Sequence, residues 1–205
     1  MGLDMYLRKT SHTSDIDILD IKIHDNNWKT GSVLIREDSE KVILPCLYHV
    51  NNITLKDGTS YYVSTIEETD SLTVTFKGWD EAVEDSPMQL ITVDKDSIDT
   101  INYTYAYWRK ANQIHNWFVQ NVQNGTDDCG EYEVSGSKLL ELVKLCEEVS
   151  EVHSTNYSDT HLPTVDGFFF GGTSYDDYYY DTTRDTVDML RNVKPTETYV
   201  YHSSW

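Results

Sequence analysis

The chain has 205 residues, 39% of them hydrophobic and 25% charged, with 15 Tyr and 5 Trp. That is the make-up of one folded globular domain, and the aromatic content excludes an acidic disordered tail. Its 35 acidic and 16 basic residues leave a net charge of −19, which excludes non-specific binding to bare nucleic acid or anionic membrane and is compatible with solubility or with mimicry of a polyanion.

In chain order, Leu3 to Arg8 reads as a first strand, and residues 9 to 30 as a polar, Asp-rich loop. Strands follow at Ser32 to Arg36 and Lys41 to Val50, the second with Pro45 marking an edge or bulge. Asp57-Gly58 between the β-rich runs 52–56 and 59–63 predicts a hairpin with a type I′ turn. Ser71 to Lys77 and Met88 to Val93 add strands. Residues 14–95 therefore read as a β-rich insertion lobe within a single domain spanning 1–205.

Beyond Asp99 the pattern changes. Tyr107, Ala111, Ile114, Phe118 and Val122 fall at helical spacing and predict an amphipathic helix over about 105–122, closed by Asn124-Gly125. A second helix, capped by Ser135 or Ser137, turns Leu139, Leu142, Val143, Cys146 and Val149 inward. Residues 153–164 read as a polar loop and Val165 to Phe170 as a strand or extended segment. A third helix covers about Asp177 to Val193, and Thr198 to His202 is a last strand. The expected fold is α+β: an antiparallel sheet packed by about three helices.

Residues 101–126 contain no acidic side chain. On the expected helix, Trp108, Asn112 and His115 share a face flanked by Arg109 and Lys110. A guanidinium fork, an ammonium, stacking rings and hydrogen-bonding side chains suit a nucleotide-like ligand. Phe170 and Tyr175 bracket Gly171-Gly172, a turn able to present backbone N–H groups to an anion, and Trp205 is either a core plug or a lid. The expected ligand-binding set is Trp108, Arg109, Lys110, Asn112, His115, Phe170, Tyr175 and Trp205.

No phosphate-loop, zinc-ligand, G-x-S-x-G or kinase spacing occurs. Asp127-Asp128-Cys129-Gly130 reads as a tight turn, its carboxylates disfavouring Cys129 as a nucleophile. Neither a cofactor nor a metal is expected, although His153, Asp159, His161, Cys46 and His49 are ligand-type residues. Three cysteines without a C-x-x-C pair suit the reduced cytoplasm. The first residues do not read as a signal peptide, and no apolar run reaches membrane length.

Met1-Gly2-Leu3-Asp4-Met5-Tyr6-Leu7, Tyr107-Trp108-Arg109-Lys110-Ala111-Asn112 with Ile114-His115 and Trp117-Phe118-Val119, Asp128-Cys129-Gly130-Glu131-Tyr132, Gly167-Phe168-Phe169-Phe170-Gly171 and Tyr201-His202-Ser203-Ser204-Trp205 together carry a resemblance. In these stretches the chain resembles a family of small uncharacterised proteins of tailed phages and bacterial genomes. The resemblance implies a phage-encoded accessory protein acting in the host cytoplasm. The first expectation is a protein that counters host defence by sequestering a small anionic, nucleotide-like ligand, without contacting nucleic acid or membrane. A symmetric homo-oligomer would suit that role. The alternative is an acidic inhibitor, of anti-CRISPR type, that occupies the basic groove of a host nucleic-acid enzyme or other defence protein; Asp176, Asp177, Asp181, Asp185 and Asp188 would be its phosphate-like row. A third reading is a small hydrolytic enzyme using His115 as general base with Asp127 or Asp128. A binding protein is favoured over an enzyme because no nucleophile accompanies that histidine.

Overall fold

A computed structural model describes residues 2–12, 20–22, 32–37, 40–43, 50–69 and 72–205. Pro45, Cys46 and His49 lie outside the described residues. The fold is α+β, with an eight-stranded antiparallel sheet and four α-helices. The chain divides into two compact units, one of residues 1–8 and 106–205, the other of residues 9–105.

The first unit holds all four helices. Its strands are the start of β1 (Asp4–His12), the end of β9 (Ile98–Arg109), β10 (Glu131–Ser135) and β11 (Thr198–Ser204). In the sheet they run β10-β11-β1-β9. β1 pairs antiparallel with β11, Asp4 opposite Ser204 and Tyr6 opposite His202. Period-two alternation drives these strands. Met5, Leu7, Tyr199, Tyr201 and Ser203 are buried, while Asp4, Tyr6, Arg8, Val200 and His202 between them are half-buried.

The buried face is covered by α1 (Asn112–Asn121) and α4 (Asp177–Leu190). Tyr201 stacks on Phe118 of α1 at 3.8 Å between centroids, and the Trp108 indole N–H donates to Thr186 Oγ1 of α4 at 2.9 Å. α2 (Gly136–Val152) packs against α4, and its buried side chains include Leu139, Leu142, Val143, Cys146 and Val149, as its periodicity requires. Ser135 caps it, its Oγ accepting from the Lys138 N–H at 3.3 Å. Gly136 has no room for a side chain, since a Cβ there would meet the Lys194 carbonyl oxygen at 1.8 Å.

Three expectations about this unit are corrected. The stretch 105–109 is strand, not helix. Tyr103, Thr104, Tyr105, Ala106 and Trp108 are all buried, and a run of aromatic and β-branched residues enclosed on both faces favours a strand over the helix its spacing suggests. The helix begins only at Asn112, after Lys110 turns the chain at φ +55°. Residues 153–164 are not a loop throughout: α3 (Thr155–His161) lies within them. Val165 to Phe170 forms no strand.

The second unit contains β2 (Asp20–Lys22), β3 (Ser32–Glu37) and β4 (Glu40–Ile43), which make a three-stranded sheet, and β5 (Val50–Leu55), β6 (Ser60–Thr69), β7 (Thr73–Asp80) and β8 (Gln89–Asp94). These last four follow one another as an antiparallel meander, with Val63, Val74, Phe76 and Val93 buried. The expected β5–β6 hairpin is present, but its turn is not type I′. Only Gly58 has positive φ, at +90°, and its N–H donates to the Leu55 carbonyl at 2.9 Å. That is a type I turn closed by a left-handed glycine, and the Asp57 carboxylate accepts from the Thr59 N–H at 2.9 Å.

Candidate functional site

The expected site residues fall into two groups. Trp108 is 3% exposed, on a strand, with its N–H committed to Thr186. Asn112 is buried at the start of α1, where its Nδ2 donates to the carbonyls of Phe170 (3.2 Å) and Gly172 (2.8 Å) and its Oδ1 accepts from the Val165 N–H (3.2 Å). It is the clamp that holds the segment after α3 against α1. Phe170 is buried, with its ring edge-on to His115 at 5.1 Å and to Trp205 at 5.9 Å.

His115 has no exposed surface. Its Nδ1 lies 2.8 Å from the Tyr201 hydroxyl and its Nε2 3.0 Å from Asp127 Oδ2. The other Asp127 oxygen accepts the Trp205 indole N–H at 3.1 Å. The result is a chain Tyr201–His115–Asp127–Trp205 that binds β11, α1 and the turn before β10 together. Trp205 is 48% exposed and so is not a core plug.

A carboxylate-oriented histidine resembles part of a catalytic relay, but this one has nothing to act on. A general base needs a free nitrogen facing substrate. Here both nitrogens are engaged, and the partner hydroxyl is buried beneath Phe118. Burial, with the negative charge of Asp127 second, pushes the Tyr201 phenol well above its ordinary range, so it is not an activated nucleophile. Cys146 is likewise pushed up by burial.

Arg109 and Lys110 form the other group, and both are exposed. Arg109 Nη1 lies 3.1 Å from Asp4 Oδ1, and its side chain keeps 55% of its surface. Tyr107, on the same outward face, donates its hydroxyl to Asp4; burial, followed by that hydrogen bond, pushes its pKa up to about 12. The Arg109 carbonyl accepts the Tyr178 hydroxyl at 2.6 Å, and the Lys110 N–H donates to the Leu3 carbonyl at 2.8 Å. Among the described residues, no carboxylate oxygen lies within 4.0 Å of the Lys110 ammonium.

The backbone beside these cations is bare. A Cβ on Gly2 would sit 3.3 Å from Lys110 Cε and 3.4 Å from Arg109 Nη2, and one on Gly171 (φ +95°) would sit 3.1 Å from Lys110 Cβ. Gly172 faces open space. The Leu3 N–H donates to the Phe169 carbonyl at 3.1 Å, which anchors the Phe168-Phe169 turn at the same end of the sheet. Phe168 is 88% exposed and Tyr178 also stands out into solvent.

Tyr175 donates to Asp159 at 2.7 Å and packs edge-on to Tyr179, with no contact that brings it to the cations. Phe168, Phe169 and Tyr178, rather than Trp108 and Tyr175, are the exposed aromatic side chains of the segments that pack on residues 109 and 110. The sequence signal for them is an unbroken aromatic run at 168–170 and again at 178–180, too long for one side of any element to bury.

Among the described residues no group of three or more His, Cys, Asp or Glu side chains is arranged to hold a metal, and no helix is long and apolar enough to cross a membrane. Comparison with protein-family models, with curated proteins and with solved structures finds no match.

Proposed function

We propose that the protein binds a small anionic ligand carrying a planar ring, of nucleotide type, at the Arg109–Lys110 patch, and that it holds this ligand rather than transforming it. The observation that carries this reading is the placement of two neighbouring exposed cations, in a chain of net charge −19, beside exposed Phe168 and Tyr178. A guanidinium fork pairs with phosphate through two parallel hydrogen bonds, and an ammonium adds a point charge. Lys110 adopts φ +55°, a conformation that costs an L-residue about 1–2 kcal/mol. Such strain is characteristic of functional sites.

The acidic-inhibitor reading has less to stand on. Asp176 is spent on capping α4 through the Tyr179 N–H, and Asp181 and Asp188 are paired within the helix by Arg184 and Arg191. The hydrolytic reading loses its base, because His115 is enclosed. Taken with the resemblance to tailed-phage proteins, holding a nucleotide-like molecule is a means of withdrawing a host defence signal in the cytoplasm.

Titration calorimetry with ATP, AMP and inorganic phosphate tests the site. The expected result is binding of a nucleotide that weakens at least tenfold in Arg109→Ala/Lys110→Ala, while the melting temperature stays within a few degrees. Equal binding by that variant overturns the assignment.

A further inference from the structure

We propose that the patch selects a ligand with two flat rings joined through phosphate, a dinucleotide, over a mononucleotide. This rests on the anion-binding reading above and adds the placement of the rings. Aromatic surfaces stand on both sides of the two cations, and they belong to different parts of the unit.

On the Arg109 side lies the outward face of the sheet. Tyr107 and Arg109 alternate along β9 with buried Trp108, so both project to that face, and Tyr6 projects from β1 beside them. The Tyr6 and Tyr107 rings are 5.3 Å apart at 47°, and His202 continues the surface from β11, 6.2 Å from Tyr6 and inclined by 23°. Asp4 holds the Tyr107 hydroxyl, which fixes the ring before any ligand arrives. On the Lys110 side lies the turn 168–169, whose two rings meet edge to face at 4.4 Å. Gly171 packs directly on the backbone and aliphatic stem of Lys110, which keeps the end of that turn against this residue.

A mononucleotide uses the cations and one surface, leaving the other in water. A dinucleotide places its phosphates on Arg109 and Lys110 and one ring on each side. Stacking on aromatic side chains tolerates any base and is worth roughly tenfold or more in affinity per ring. The face is not simply cationic. Asp4 lies against Arg109, and farther along Arg8 is paired with Glu131 at 2.7 Å. Arg8 also lies over the Tyr6 ring, 5.9 Å from its centroid, so a ring stacked on Tyr6 meets a guanidinium already paired with Glu131, and a long polyanion laid across the sheet would meet both carboxylates.

The test is a set of dissociation constants, by calorimetry, for pApA and pGpG, their cyclic counterparts, and AMP and GMP. Tyr6→Leu removes the outward ring and keeps an apolar side chain; Phe168→Ala removes a ring that the fold does not bury. The expected result is that a dinucleotide binds at least tenfold more tightly than its mononucleotide, and that each variant abolishes most of that difference with an unchanged circular dichroism spectrum. Equal affinity for one and two nucleotides overturns the two-ring assignment and leaves the anion site standing. So does a dinucleotide preference that survives both variants. No binding of any of the six ligands by the wild-type protein overturns the anion site itself.

Discussion

The buried interior and the exposed surface of the first unit use similar residues to opposite ends. Inside, Trp108, Asn112 and His115 have their polar atoms matched one by one to Thr186, to the backbone of residues 165–172, and to Tyr201 and Asp127. Outside, Arg109 and Lys110 follow Trp108 directly in sequence and retain surface to offer. What separates the two groups is not residue type but how fully their hydrogen bonds are already spoken for.

The contrast can be broken most sharply from within. Trp108→Ala removes a buried indole and its N–H bond to Thr186, whose hydroxyl still donates to the Thr182 carbonyl, and should cost roughly 3–5 kcal/mol, mostly through lost packing. At about 2–4 °C per kcal/mol for a chain of this size, thermal unfolding would show it plainly. Asn112→Ala leaves one N–H and two carbonyls without their partner, an expected loss of roughly 2–3 kcal/mol. If either variant were as stable as the wild type, the inner face would not be the closed network described.

Lys110→Gly gives a sharper comparison, because stability and binding should move in opposite directions. Glycine accepts positive φ without strain, so the variant should gain up to about 1 kcal/mol while nucleotide affinity falls. A loss in both would mean that Lys110 is held in place for the fold.

The smallest effect concerns α4. Burial, then the charges of Asp181 and Asp188, raises the pKa of Asp185 in the folded protein. A carboxyl with a raised folded pKa disfavours the folded state at neutral pH, and this penalty fades as pH falls through its titration range. Asp185→Asn should therefore raise the melting temperature slightly at pH 7 and have less effect near pH 4. A gain that grew toward acid would reverse that sign.

Much of the scaffold was legible because its periodicity was unambiguous. Alternation at Met5 and Leu7 and the 3.6-residue stripe from Leu139 to Val149 each had one reading. The 105–109 segment did not. Tyr107, Ala111, Ile114 and Phe118 are spaced as on a helix, yet only the last two lie within it. Only residues 103–106 are buried on both faces, and the alternation that follows them at 107–109 is too short to oppose that reading. The cationic pair was found for its lack of nearby acids. Its aromatic neighbours were hidden, since Tyr6 and the 168–169 turn are remote from Arg109 in sequence and are drawn to this end of the sheet only by strand pairing and by the Leu3–Phe169 hydrogen bond. The link from His115 to Asp127 crosses the end of α1, so helical spacing was silent about it, and nothing in the sequence marks both imidazole nitrogens as occupied.

The pairing of β1 with β11 also governs how the molecule is made. Asp4 and Ser204 lie far apart in sequence, yet they are cross-strand partners. The edge of β1 that faces β11 therefore stays unpaired until β11 has been synthesised, after the whole of residues 9–105. Closure of the sheet is a non-local, late and comparatively slow step. During that interval the exposed edge of β1, with Met5 and Leu7 uncovered, is the segment most open to mispairing or to capture by a chaperone.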